Sequence, residues 1–233
     1  MSENFKALMI EKNDENQSVE MVNINEDNLM EGNTLVNVTH STLNYKDGLA
    51  ITGASPVVRS FPMIPGIDFS GIVLSSEDKD FSEGDRVVLN GYGLSENHFG
   101  GYSEKARVKS EHLLKLPENI SNKQAMAIGT AGYTAMLCVL AIEDHGINPD
   151  DGVILVSGAS GGVGSVAISL LSGLGFNVEA STGRLEETSY LNNLGAKSVI
   201  DRKELSEPSR PLGKERWAGA IDSVGSTTLA NIL

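Results

Sequence analysis

The chain has 233 residues, 40% of them hydrophobic and 21% charged, with a formal net charge of −13 at pH 7. That balance describes a globular protein with room for one large domain or two moderate ones, and its acidic excess argues against non-specific binding to nucleic acid or to an anionic membrane. A single cysteine, Cys138, excludes an internal disulfide and a multi-cysteine zinc site, and the apolar run Ala135 to Ala141 around it reads as the setting of a structural thiol. Met1 to Lys6 has no basic-then-apolar signal pattern, and no stretch reaches about 18 consecutive apolar residues. A cytoplasmic location is expected.

From Phe5 to about Val108 the pattern is mostly β. Lys6 to Ile10 and Val19 to Val22, separated by the polar turn Lys12 to Gln17, predict a hairpin. Thr34 to Thr39 alternates as a further strand, and Ser41 to Gly48 reads as a loop leading into a short helix. Phe61 to Val73 is a turn punctuated by proline and glycine and then a strand. Gly84 to Leu89 and Gly100 to Val108 are each a turn entering a strand. Many short strands at close spacing indicate a small barrel-like β domain. The character changes at Leu116-Pro117, which sets a first domain at 1–117 and a second at 118–233. Asn119 to Ala141 is helical in composition, with Ser121 as N-cap and Gln124 completing a capping box. Gly129 to Thr134 interrupts it, so two helices meeting at a glycine joint are expected.

Strand and helix then alternate. Val153 to Val156 is a short buried strand, Asn177 to Ser181 a second, Ser198 to Ile200 a third and Ala218 to Val224 a fourth. Leu185 to Leu194 is a helix with Gly195 as its C-cap, and Ala230 to Leu233 opens another. This rhythm predicts an α/β fold with a doubly wound parallel sheet. Only four of the usual six strands are present, so the chain reads as C-terminally truncated. After the first strand, Gly158, Gly161, Gly162 and Gly164 make a turn nearly bare of side chains. Val163, Val166, Ala167, Leu170, Leu171 and Leu174 then fall on one helix face. A strand, a glycine turn and an amphipathic helix are the layout of a dinucleotide phosphate site. The bare backbone approaches a pyrophosphate, and the helix start supplies free N–H groups. Ser160, Gly161, Gly162, Val163 and Gly164 are the candidate contacts.

An NAD site normally ends its second strand on Asp or Glu, about 20 residues past the glycines. Glu179 lies near that distance but within the strand pattern, and the strand end reads Ser181-Thr182-Gly183-Arg184. Thr182, Gly183 and Arg184 suit a 2′-phosphate, and Arg202 after the third strand could add a second positive contact. The cofactor expected is therefore NADPH. The plainer alternative is that Arg184 caps a solvated helix start.

A β domain followed by a dinucleotide domain, with the words Asn44-Tyr-Lys-Asp47, Pro65-Gly-Ile-Asp-Phe-Ser-Gly71, Gly84-Asp-Arg-Val87, Gly100-Gly-Tyr-Ser-Glu104, Gly129-Thr-Ala-Gly132 and Ser157 to Gly164 in that order, resembles the medium-chain dehydrogenase/reductase superfamily. Ser181 to Arg184 and Arg216 to Gly225 are similar to the acrylyl-CoA reductase (NADPH) family in its quinone-oxidoreductase-like branch. The resemblance covers essentially the whole chain. It implies an N-terminal GroES-like β domain ahead of a Rossmann domain. Zinc alcohol dehydrogenases of the superfamily carry a cysteine near the start of the first word and a His-Glu pair in the second. Here those places read Asn44-Tyr45 and Ile67-Asp68, so no metal site is expected. His40, His98, His112 and His145 are scattered.

The resemblance further implies reduction of the 2,3 double bond of acrylyl-CoA to propanoyl-CoA, a conjugate hydride addition in which the thioester carbonyl takes up developing charge. Tyr45 is the candidate to pack near the nicotinamide. Asn44 and Asp47 either line the substrate pocket or cap a helix. No proton donor is named by these residues. A quinone or enone reductase with the same cofactor, and a non-catalytic cofactor-binding fragment, are the alternatives. A homodimer is expected of the full-length family.

Overall fold

The computed structural model describes residues 4–13, 16–207 and 213–233. Asp14 and Glu15, in the turn expected between the first two strands, lie outside them, as do Met1 to Glu3. Packing divides the chain into two compact units, the first ending at Thr130 and the second beginning at Ala131. That division falls after the change of composition at residue 117. The helix that follows is tied back to the first unit, where Asn122 Nδ2 donates to Gly71 O and Thr39 Oγ1, both at 3.0 Å.

In the first unit β1 (Phe5–Lys12) and β2 (Gln17–Ile24) form the expected antiparallel hairpin. A second, five-stranded sheet holds β3 (Thr34–His40), β4 (Asp68–Ser76), β5 (Arg86–Asn90), β6 (Lys105–Val108) and β7 (Leu114–Lys115), in the order β6-β3-β4-β5-β7. Alternation does the sorting. In β5, Val87 and Leu89 point inward and meet Val36, Phe69, Val73, Ala106 and Val108. The first half of β4, Asp68 to Gly71, is buried on both faces, so its polar residues must be satisfied inside. The two-residue β7 carries too little pattern to be read from sequence. The short helix α1 (Tyr45–Thr52) begins at Asn44 and ends on Gly53, whose φ of +66° is the left-handed stop.

The long apolar helix α2 (Asn122–Asp144) starts with the predicted capping box. Gln124 N donates to Ser121 Oγ at 3.2 Å, and Ser121 N donates to Gln124 Oε1 at 2.9 Å. It breaks at Gly129, with φ 55° and ψ −166°, the expected joint. By length and composition it could cross a membrane, but Ala135, Val139 and Ile142 pack into a core.

The second unit is a parallel sheet in the order β10-β9-β8-β11. Its elements are β8 (Val153–Val156), α3 (Gly162–Gly173), β9 (Asn177–Thr182), α4 (Thr188–Leu194), β10 (Ser198–Asp201), β11 (Gly219–Ile221) and α5 (Ser226–Ile232). Ile154, Val156, Val178 and Ala180 from the sheet close on Ala167, Ile168, Leu171 and Leu191 from the helices. Burying each larger side chain is worth about 1.5–3 kcal/mol. Two expectations shift. The fourth strand is only three residues long because the Asp222 carboxylate accepts N–H bonds from Val224 and Gly225 and turns the chain. That turn also brings the start of the last helix forward to Ser226. Strand order reverses between β8 and β11, and such a reversal opens a crevice at the strands' carboxyl ends.

Candidate functional site

The glycine loop lies at that reversal. Ser157 N donates to Ile221 O at 2.9 Å, and the Ser157 hydroxyl bonds the Asp222 carboxylate, so the end of β8 is fastened to the end of β11. Gly158 then takes φ +57°. Gly164 is required for a different reason, since a Cβ there would lie 2.5 Å from Gly158 O and 2.7 Å from Ala159 Cα. Both are backbone atoms that cannot give way. The helix α3 therefore starts hard against the loop, with Gly161 as a cap that has no side chain to occupy the first-turn N–H groups. Gly161 and Gly162 are exposed, while Val163 packs against the core. The result is a bare cradle with a positive dipole end, a fit for the pyrophosphate of a dinucleotide.

The end of β9 adjoins this cradle. Ala159 N donates to Ser181 O at 3.1 Å, and the hydroxyls of Ser160 and Thr182 are 2.8 Å apart. Arg184 N donates to Thr182 Oγ1 at 3.1 Å and Arg184 Nη2 to Ser160 O at 2.9 Å, while its Nε lies 3.3 Å from Glu187. Nη1 has no partner among the described residues. Arg202 crosses over Gly183 so closely that a Cβ there would meet its Nε at 2.8 Å. The sequence-predicted set Ser160, Thr182, Gly183, Arg184 and Arg202 is thus one cluster of hydroxyls and guanidinium groups. Glu179 is engaged elsewhere. Its carboxylate accepts from Ser198 Oγ at 2.9 Å and Trp217 Nε1 at 2.8 Å, and pairs with Arg216 at 3.3 Å. The cluster carries no acid on Thr182 to Arg184 to meet a ribose 2′-hydroxyl, Glu187 beyond them being paired with Arg184. Its donors fit a 2′-phosphate.

The first unit holds the second group. Tyr45 is 85% exposed, whereas Asp47 and Asp68 are both 0% exposed. Asp47 accepts N–H bonds from Asn44 at 2.8 Å and Ile67 at 2.9 Å. It caps α1 from inside, and burial pushes its carboxyl above the ordinary range against those two bonds. Asp68 was not singled out by the sequence reading, and it is the hub. Its oxygens accept from Thr42 Oγ1 at 2.7 Å, Thr42 N at 3.1 Å, Asn44 Nδ2 at 3.1 Å, Thr130 N at 3.1 Å and Thr130 Oγ1 at 2.6 Å. Asn44 Nδ2 also reaches Thr42 Oγ1 at 2.9 Å. Tyr102 donates its hydroxyl to Thr42 O at 2.8 Å. Burial, with the Asp47 charge next in weight, pushes its pKa up, so the phenol stays protonated. Asp68 and Thr130 do belong to two of the sequence words, which is the only signal that could have found them.

Among the described residues no three His, Cys, Asp or Glu side chains converge as metal ligands. His40 bonds Thr39, His98 bonds Phe99 O and Glu31 O, and His112 stacks on Tyr92 at 4.3 Å.

Residues 30–118 match the alcohol dehydrogenase GroES-like domain. A probable acrylyl-CoA reductase, AcuI, of Escherichia coli (strain K12) is 52% identical over 229 residues, covering 98% of this chain and 70% of that protein. The acrylyl-CoA reductase AcuI of Ruegeria pomeroyi is 47% identical over 232 residues, with 98% and 70% covered. Among solved structures, the yhdH oxidoreductase of Salmonella enterica in complex with NADP superposes with a TM-score of 0.95 at 51% identity, over 97% of this chain and 70% of that one.

Proposed function

The chain belongs to the acrylyl-CoA reductase family, in the quinone-oxidoreductase-like branch of the medium-chain dehydrogenase/reductase superfamily, and from that membership we propose that it is an NADPH-dependent reductase of the 2,3 double bond of acrylyl-CoA. The observation that carries the cofactor half of this reading is the cluster at the end of β9. Two hydroxyls and two guanidinium groups gather there, and the nearby acid Glu179 is committed to Ser198, Trp217 and Arg216. The substrate half rests on the relatives.

In this reading the uncapped N–H groups of Gly162, Val163 and Gly164 hold the pyrophosphate, with Gly161 keeping the approach open. Ser160, Thr182, Arg184 and Arg202 hold the 2′-phosphate, and Gly183 keeps the space that Arg202 crosses. When bound, the nicotinamide supplies the hydride that the alkene accepts at its β-carbon. Tyr45, exposed at the start of α1, packs beside the ring. Asn44 lines the substrate pocket with its amide oriented by Asp68, and Asp47 supports it from within the fold. Metal ligation has no part in this reading. A cytoplasmic homodimer belongs to the same proposal, and sedimentation measures its assembly.

The test is an exchange of charge. Arg184→Asp raises the Michaelis constant for NADPH by at least about tenfold more than that for NADH, since a bidentate charge-assisted contact to phosphate is lost and a repulsion added. Equal effects on the two cofactors would overturn the NADPH assignment. Turnover of acrylyl-CoA against a simple quinone checks the acceptor.

A further inference from the structure

Acrylyl is a three-carbon acyl group, and an enzyme that takes its CoA ester has little to hold at the reacting end. The remaining binding energy must come from remote parts of the substrate. CoA carries roughly −4 at neutral pH, about −2 of it on a phosphate monoester. The chain itself carries −13. At long range the two repel, so the protein has to offer a local cationic patch.

Such a patch adjoins α1. Lys46, the neighbour of Tyr45, and Arg59 converge on one carboxylate, that of Glu96. The Lys46 ammonium bonds Glu96 Oε1, and Arg59 Nε lies 3.6 Å from Oε2. Arg59 also donates its main-chain N–H to Glu96 O at 2.8 Å. Two cations against one anion leave a positive balance, and the Lys46 and Arg59 side chains remain 43% and 70% exposed. Lys46 foremost, and Arg59 after it, hold the Glu96 carboxyl below its ordinary range, so the anchor stays ionised.

The segment that presents Glu96 is specially wound. Tyr92, between the left-handed Gly91 and Gly93, and Ser95, two residues beyond, take φ of 50° and 68°. Such conformations cost about 1 kcal/mol or more each outside glycine and persist where the surroundings impose them. Ser95 Oγ is buried without a partner among the described residues, a further cost in the segment that carries Glu96. Beside the cations, Leu43 and Tyr45 expose 82% and 85% of their surface, apolar ground for a pantetheine arm.

We propose that Lys46 and Arg59, aligned by Glu96, bind the phosphates of the CoA portion of the substrate. This rests on the acyl-CoA reading above. The experiment compares acrylyl-CoA with the acrylyl thioester of pantetheine, which lacks the nucleotide. For the Lys46→Gln/Arg59→Gln double variant the ratio of the two Michaelis constants, pantetheine ester over CoA ester, falls about tenfold. Lys79→Gln, on the turn after β4, leaves the ratio where it was. A ratio equal to wild type in the double variant overturns the site and leaves the enoyl-CoA reading standing. Turnover of neither thioester by the wild type overturns that reading instead. Calorimetric titration with free coenzyme A then decides the site separately: binding weakened about tenfold in the double variant supports it, and equal or absent binding ends it.

Discussion

The glycine loop with the end of β9 and the Asp68 hub are both close-packed polar centres, yet they are made of different material. The loop is made of main chain. Its geometry follows from where Cβ atoms are absent, as at Gly164, and from the start of a helix. The hub is made of side chains from Thr42, Asn44, Asp68 and Thr130, drawn from three separate stretches of sequence. One centre tolerates no added atom, and the other tolerates no lost one. A phosphate is met by the first because free N–H groups cost nothing to expose. The second must satisfy a buried carboxylate without a cation, which it does with five donor groups.

The largest effect expected from this contrast is at Gly164. Gly164→Val drives side-chain atoms into Gly158 O and Ala159, and overpacking of this kind costs about 1–3 kcal/mol. Displacement of the loop then lowers NADPH affinity by about 100-fold in a fluorescence titration. Binding within threefold of wild type would show that the cradle does not depend on that close approach. Next comes Asp68→Ala, which strands the donors of Thr42, Asn44 and Thr130. Chemical denaturation should show a loss of about 3 kcal/mol, the scale of unpaired buried donors around a deleted charge. Asp68→Asn should lose less, because the amide keeps one accepting oxygen. If the two variants were equally stable, the hub would be held by packing instead.

How each centre could be read from the sequence follows from the same difference. Spacing alone exposes the loop, because Val153 to Val156, the glycines and the apolar face of α3 are consecutive. The end of β9 was legible too, since Thr182, Gly183 and Arg184 are adjacent. The hub was not. Asp68 and Thr130 meet only after β4 has been buried and α2 has broken at Gly129, 62 residues apart in sequence. Local chemistry was readable wherever a partner lay three or four positions away, as with Ser121 and Gln124 or Asn44 and Asp47. The shortened β11 was missed because its end is set by the Asp222 side chain, not by an apolar pattern.

A smaller effect separates cofactor from fold. Ser160→Ala removes the 2.8 Å bond to Thr182, worth about 1 kcal/mol as a neutral hydrogen bond. The Michaelis constant for NADPH should rise about fivefold, and that for NADH less than twofold. Similar rises for both would place Ser160 in the scaffold of the loop.

The smallest effect is a response to pH, and here too the two regions part. Ser157 to Gly164 contains no titratable side chain, whereas in the first unit Glu96 is paired with Lys46 and its pKa lies below the ordinary 4.5. An acid whose folded-state pKa is depressed binds its proton more weakly when folded. Its stabilisation is fully present above the unfolded value and is lost as pH falls through the folded one. Lys46→Gln removes the main cause of that depression. The wild type should therefore exceed it by about 0.5 kcal/mol at pH 7, the usual size for a partly exposed pair. That gap should hold down to about pH 4.5 and close below it. The gap between wild type and Ser160→Ala should stay constant over the same range. Denaturation at pH 7, 5 and 3.5 reads both. A Lys46→Gln gap that persists at pH 3.5 would mean that the Lys46 side chain stabilises the first unit through its methylene packing rather than through the charge on Glu96.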